Sequence, residues 1–177
     1  MRTGLGRLAL VSMSVSCATA LLAAPNFSGR WTMEPPPAAA GAGRGTAARG
    51  DMGPGWGSPL TISQDSGRLT VEYAFFGRGD MQAPLRFQYS LDGSETRNSV
   101  MMGRGVQQQS SRTAWEGDKL VITTVHSFAD PGTGKMMTQE VIHKLSLNSP
   151  TSLVVETIRP GVLGGPPSTV RTVYTKS

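Results

Sequence analysis

Two histidines, His126 and His143, are the only imidazoles in this sequence of 177 residues. An acyl-transfer site needs such a base next to a nucleophile and an orienting carboxylate. Each histidine shares a strand-like face with apolar residues, Ile122 for the first and Val141 for the second. That setting favours a packed or hydrogen-bonded imidazole over a catalytic base. No Gly-x-Ser-x-Gly motif positions a serine. The sequence therefore predicts no catalytic residue, and we expect a protein that is not an enzyme.

Metal binding and glycosidic chemistry also lack the residue spacing that they require. No His-x-His or His-Glu-x-x-His pair fixes two ligands on one face. Paired carboxylates are missing as well, since the strand glutamates stand singly. They are Glu72, Glu95, Glu140 and Glu156. The net charge of +5 is scattered along the chain rather than gathered into a stripe, which argues against a nucleic-acid groove. We expect no metal, no cofactor and no nucleic-acid partner.

Aromatic residues form the one group whose types and spacing suggest binding. Tyr73, Phe87, Tyr89 and Trp115 fall mainly on the apolar faces of predicted strands that are close in sequence. In a small barrel such a face points inward, where side chains either fill the lumen or line a ligand cavity. We predict that these four residues line a site for a small apolar or amphipathic ligand. A lumen filled by its own side chains is the alternative.

The elements that must hold these aromatics are short strands. From about residue 58 onward, alternating apolar and polar residues are separated by turn signals, and a helical period is almost absent. The Asp92-Gly93 pair is a strong hairpin signal, because both central positions of its turn require positive φ. Including a first strand at Gly29, the pattern predicts nine or ten strands. Short turns favour an antiparallel meander, and pairing the first strand with the last would remove its exposed edges.

We therefore predict one all-β domain over residues 25–177, an up-and-down barrel of the lipocalin or streptavidin kind, with a β-sandwich as the alternative. The segment from Pro35 to Gly57 interrupts it with low-complexity sequence rich in proline, alanine and glycine. Such a segment buries too little apolar surface to offset its ordering entropy, so we expect a mobile loop. It is either a lid over the barrel mouth or a tolerated insertion. Trp56 is the residue that would fasten its end to the barrel.

The first 24 residues have the features of a secretory signal peptide. Arg2 and Arg7 precede an apolar run from Leu8 to Val15, and small residues follow. We expect cleavage of this segment, export to the periplasm or the extracellular space, and no membrane span. Cys17 lacks the leucine-like residue that bacterial lipoboxes carry three positions earlier, which favours a cleaved signal over lipidation.

The run Asn26-Phe27-Ser28-Gly29-Arg30-Trp31 resembles the first strand of lipocalins. In that family a Gly-x-Trp motif places the tryptophan across the closed end of the barrel, and an arginine near the last strand stacks on it. The resemblance implies that Gly29 and Trp31 close the barrel and that Arg171 is the stacking cation, a contact of about 1 kcal/mol.

Most of the remaining chain is similar to exported bacterial proteins of unassigned function. The similar segments are Leu91 to Glu95, Ala114 to Ile122 and Leu153 to Thr157. Together with the inward-facing aromatics, the two resemblances imply an exported, monomeric, lipocalin-like barrel that binds a small ligand in its lumen. The alternative is a structural or interaction module of the cell envelope, in which a filled barrel presents the 35–57 loop or an edge strand to a partner.

Overall fold

The computed structural model describes residues 24–35, 56–73, 84–102, 105–129, 132–161 and 166–177. Of the predicted signal peptide only Ala24 is described, so Cys17 and the cleavage site lie outside these residues, as does most of the 35–57 segment. The described chain folds into ten antiparallel strands. They are β1 (Gly29–Met33), β2 (Leu60–Gln64), β3 (Arg68–Tyr73), β4 (Leu85–Ser90), β5 (Thr96–Met102), β6 (Gly105–Glu116), β7 (Lys119–Ala129), β8 (Met136–Ser149), β9 (Ser152–Arg159) and β10 (Ser168–Lys176).

All ten strands belong to one sheet with the order β4-β3-β2-β1-β10-β9-β8-β7-β6-β5. The first and last strands pair antiparallel, with Trp31 opposite Lys176, as the meander predicted. The predicted all-β, up-and-down barrel is therefore confirmed. The two edges of the sheet are β4 and β5, which the Asp92-Gly93 turn connects. The strongest hairpin signal in the sequence thus marks the one place where neighbouring strands form no backbone ladder.

Side chains close this seam between β4 and β5. The side-chain amide of Asn98 bonds both backbone groups of Gln88, at 2.8 and 2.9 Å. Nearer the turn, the backbone N–H of Ser90 donates to the Thr96 hydroxyl at 2.9 Å. Gly93 allows the turn itself through its φ of 82°, a value that suits glycine. The barrel is consequently nearly closed, with side chains replacing ladder hydrogen bonds along β4.

The alternation of side chains along each strand builds a single core inside the barrel. On β2, Leu60 and Ile62 are buried, whereas Thr61 and Ser63 between them are exposed. The strand register continues this pattern around the sheet. Ile62 pairs with Val71 on β3, and Val71 pairs with Phe87 on β4. Burying each such aliphatic or aromatic side chain contributes about 1.5–3 kcal/mol.

Strand directions distinguish two ends of the barrel. One end contains the chain entry at Phe27 and the turns that follow β2, β4, β6 and β8, and it is called the closed end because the buried Trp31 lies there. The far end contains the opposite strand termini, among them Tyr73, Leu85, Met136 and Arg159. Within the part of the chain that the structure describes, no helix has the length and apolarity needed to cross a bilayer.

Candidate functional site

Trp31 lies fully buried at the closed end. Its indole Nε1–H donates to the Phe27 carbonyl at 3.0 Å, and the Lys176 ammonium lies 5.4 Å from its ring centroid. The stacking cation is therefore Lys176, and the expectation for Arg171 is corrected. The physical reason is strand periodicity, because Lys176 is five positions after Arg171 on the same strand, and an odd offset places the two side chains on opposite faces. Arg171 is exposed and lies opposite Glu156.

The Gly-x-Trp motif has a steric role beside this contact. A Cβ atom on Gly29 would lie 2.6 Å from the Lys176 Cε, far inside normal contact distance. The missing side chain lets the lysine chain cross β1 and reach the Trp31 ring. Gly29, Trp31 and Lys176 thus lie together, and Arg171 is not part of the group.

Trp115 lies at the closed end too, one residue before the end of β6. Its ring stacks on Phe27, with centroids 6.1 Å apart and planes 10° apart. It also borders an open cleft of about 380 Å³. The other residues of the cleft are Ala24, Asn26, Gln64, Asp65, Ser66 and Leu91. Tyr73, Phe87 and Tyr89 do not line this cleft, although Trp115 packs against the core cluster that contains Phe87 and Tyr89.

Tyr73, Phe87 and Tyr89 do come together, on adjacent strands β3 and β4. Tyr73 stacks on Phe87 at a centroid distance of 5.6 Å, and Phe87 and Tyr89 are both buried. Burial raises the pKa of Tyr73 to about 12, and burial together with the nearby Tyr73 raises the pKa of Tyr89 as well. Both phenols therefore remain neutral near pH 7. These three residues form the aromatic wall of the lumen.

Trp56 fills the space in front of this wall. Its ring lies between those of Tyr89 and His143, with centroid distances of 6.3 and 5.0 Å, and 3% of the residue is exposed. Its backbone carbonyl accepts the Tyr174 hydroxyl at 2.7 Å. The sequence suggested only an anchoring role for Trp56. A lone tryptophan in a glycine- and proline-rich segment was the one signal of this position inside the barrel.

A polar wall faces the aromatic one across the lumen. The inward positions of β5 to β10 carry buried hydroxyls, amides and an imidazole among their apolar neighbours. They are Asn98, Gln109, Ser111, Thr113, Thr124, His143, Thr157 and Thr172. Some of these groups bond each other, as the hydroxyls of Ser111 and Thr124 do at 2.9 Å. The lumen is thus amphipathic in cross-section.

Three buried atoms of the polar wall have no hydrogen-bond partner among the described residues. They are His143 Nδ1, Thr157 Oγ1 and Thr172 Oγ1. Their residues lie on the adjacent strands β8, β9 and β10, where His143 is directly opposite Thr157. Thr172 is opposite Val155, which precedes Thr157 by two positions and lies on the same inward face of β9. An unpartnered buried polar group costs about 1–3 kcal/mol. The concentration of three in one place marks a polar spot beside Trp56.

Burial lowers the pKa of His143 to about 3, with smaller contributions from the positive charges of Arg159 and His126. Burial, followed by Arg159, also lowers the pKa of His126. Both imidazoles point into the lumen, as their register with Gln139 and Thr157 requires. A neutral imidazole offers one donor and one acceptor. His143 can therefore hydrogen-bond a neutral polar group.

Acidic side chains lie outside the described lumen. None of the inward positions on the described strands carries an acidic residue, because Glu72, Glu116, Glu140 and Glu156 point outward. The same residues contain no group of three histidine, cysteine or acidic side chains that could hold a metal ion.

Neither the family models nor the curated proteins include a match to this sequence. The function is therefore inferred from the barrel's own residues.

Proposed function

We propose that this barrel is a lipocalin-like binding protein that holds a small amphipathic ligand in its lumen. The observation that carries the proposal is the set of three unpartnered polar atoms, from His143, Thr157 and Thr172, facing the aromatic wall. A ligand with one polar and one apolar side would satisfy those atoms and pack against Tyr89 at the same time. Lumen sites of this kind combine apolar lining with a few convergent polar groups.

The free energy of the unliganded fold supports the same proposal. Each unpartnered group costs about 1–3 kcal/mol, which a hydrogen bond from a bound ligand would offset. The opposite wall supplies only apolar and aromatic contacts, from Val71, Phe87 and Tyr89. A purely apolar ligand would leave the polar atoms unpartnered, so the polar wall selects an amphipathic one.

The compartment and the state of the protein belong to this proposal too. The signal-like segment with Arg2 and Arg7 supports export, to the periplasm or beyond the cell. We propose that the exported chain acts as a monomer, without enzymatic activity, because its binding groups all lie within one barrel.

Native mass spectrometry of protein purified from its own host, without refolding, tests this function. We expect a non-covalent adduct that organic extraction removes. Thr157→Val replaces the hydroxyl by a methyl group of similar size and should reduce the fraction of protein carrying the adduct. Thr61→Val makes the same chemical change at an exposed position of β2 and should leave the adduct unchanged. Protein that carries no adduct, or an adduct insensitive to Thr157→Val, would contradict lumen binding.

A second candidate function is an interaction module of the cell envelope. Met136 and Met137, at the far end, are 70% and 47% exposed. Flexible methionines at a rim are typical of surfaces that adapt to a partner. Replacing both by glutamine separates the two functions. A module would lose its envelope partner in a crosslinking experiment, whereas a lumen binder would retain its adduct.

A further inference from the structure

The space between the rings of Tyr89 and His143, which Trp56 fills, is called the Trp56 slot below. Resting on the proposed function, we propose that the ligand carries a flat aromatic ring with a neutral polar substituent, and that this ring replaces the indole of Trp56 in the slot. The segment before β2 would then hold an internal competitor for the ligand site.

The shape of the slot selects a flat ring. The plane of Trp56 is within 19° of the His143 plane and within 29° of the Tyr89 plane. Centroid distances of 5.0 and 6.3 Å are those of offset-stacked aromatic pairs. A second flat ring of similar size would make the same two contacts. A branched aliphatic group would fill the slot without them.

The polar substituent follows from the atoms beside the slot. His143 forms one side of it and carries the unpartnered Nδ1, with Thr157 directly opposite in the register. The imidazole is neutral and each hydroxyl both donates and accepts, so the group that fits best also donates and accepts. An amide or a hydroxyl meets that requirement. The three residues are each more than nine-tenths buried, so the substituent would be withdrawn from water with its ring.

The position of Trp56 in the chain makes the exchange feasible. It precedes β2 by four residues and takes part in no strand ladder, so the ring can leave without breaking ladder hydrogen bonds. The described bond that its backbone makes across the lumen is the one from Tyr174. The departing indole would lose the free energy of its burial, and burial of the entering ring would offset that loss. Free-energy differences between the two states are therefore small compared with unfolding the barrel.

Fluorine NMR of the full-length protein labelled with 5-fluorotryptophan tests the exchange. The chain contains three tryptophans, and a Trp56→Phe replacement identifies the relevant resonance. The probes are indole-3-acetamide, indole without the substituent, and 1-decanol as a flexible amphipathic molecule. We expect indole-3-acetamide to shift the Trp56 resonance saturably while the Trp31 resonance stays in place. Trp56→Ala removes the competitor and should bind that probe on the order of 100-fold more tightly.

The substituent is tested in the Trp56→Ala background. Adding Thr157→Val should weaken indole-3-acetamide about tenfold and leave unsubstituted indole unaffected, because only the former uses the hydroxyl. Thr61→Val is the matched control and should change neither affinity. If Trp56→Ala fails to fold, Trp56→Leu provides a smaller cavity for the same comparison, and the wild-type titration stands without either variant.

The outcomes separate this proposal from the function on which it rests. Saturable binding of 1-decanol with an unmoved Trp56 resonance would overturn the slot proposal and leave lumen binding in place. Binding of indole-3-acetamide to Trp56→Ala but not to the wild type would show a permanent plug and would also overturn it. No binding of any probe to either protein would overturn both.

Discussion

The side-chain amide of Asn98 accepts the backbone N–H of Gln88 at 2.8 Å and donates to the carbonyl of the same residue at 2.9 Å. One side chain of β5 thereby supplies the two hydrogen bonds that a neighbouring peptide group would give β4. Asn98 is itself buried. Closure of the barrel at this point requires an amide side chain, since an aliphatic side chain of the same size could make neither hydrogen bond.

Asn98→Ala should lower the free energy of unfolding by about 2 kcal/mol, because it removes two hydrogen bonds and leaves Gln88 unpartnered. Urea denaturation measures the change, and hydrogen exchange should show faster exchange of the Gln88 amide. Ser99→Ala is the neighbouring control. It removes an exposed bond to Gln108 and should change stability by less than about 0.5 kcal/mol. Unchanged protection of the Gln88 amide in Asn98→Ala would disprove closure by this side chain.

The seam also shows what the sequence can predict about this barrel. The number of strands, predicted as nine or ten, is found as ten, because alternation and turn residues act locally. The hairpin signal at Asp92-Gly93 predicted a turn and could not reveal that its two strands lack a ladder. Whether β4 and β5 form a ladder depends on the curvature that the sheet accumulates over all ten strands.

The site was less predictable than the fold for the same reason. Tyr73, Phe87 and Tyr89 share a face by strand period alone, and they lie together. Trp115 shares the inward face and packs against the same core, but its ring stacks on Phe27 of the chain entry, a contact that strand period alone does not predict. The insertion of Trp56 is a contact across the barrel, and the approach of Lys176 to Trp31 depends on the pairing of β10 with β1, so no local pattern encodes either.

Thr157→Val should raise the free energy of unfolding of the unliganded protein by about 1 kcal/mol, since it replaces an unpartnered buried hydroxyl with a methyl group. Thr172→Val should act in the same direction. Thr124→Val is the matched control, because this buried hydroxyl bonds Ser111, and its loss should destabilise by about 1 kcal/mol. Chemical denaturation of extracted protein measures all three. Equal destabilisation by Thr157→Val and Thr124→Val would mean that the Thr157 hydroxyl is satisfied in solution.

Gly29→Ala should displace the Lys176 side chain from the Trp31 ring, because the new methyl group would lie 2.6 Å from its Cε. We expect a loss of more than about 1 kcal/mol of stability, because the change removes the cation–π contact and also strains the backbone at the Gly29 φ of 155°. Proton NMR reports the change directly, since the ε-methylene protons of Lys176 should lose their upfield ring-current shift. Gly67→Ala is the control, with its nearest atom at 3.9 Å. Retention of the upfield shift in Gly29→Ala would contradict this account of the Gly-x-Trp motif.

Mild acid should destabilise the barrel through its imidazoles. Burial lowers the pKa of His143 to about 3 and also lowers the pKa of His126, whereas both titrate near 6.5 in the unfolded chain. Between those values the unfolded state binds more protons, so the free energy of unfolding falls as pH decreases through 6.5. The slope is at most about 1.4 kcal/mol per pH unit for each imidazole.

His143→Phe isolates this effect, because it keeps a ring that stacks on Trp56 and removes the titration. Urea denaturation between pH 7 and pH 5 lies above the range in which carboxyl groups usually titrate, so it reports mainly on the histidines. We expect the decline in stability across this interval to shrink to the part that His126 contributes. His126→Phe should remove less of the decline, since its imidazole is less buried than that of His143. A decline of unchanged size in His143→Phe would mean that His143 is protonated in the folded barrel, which would also remove the neutral acceptor that the lumen site requires.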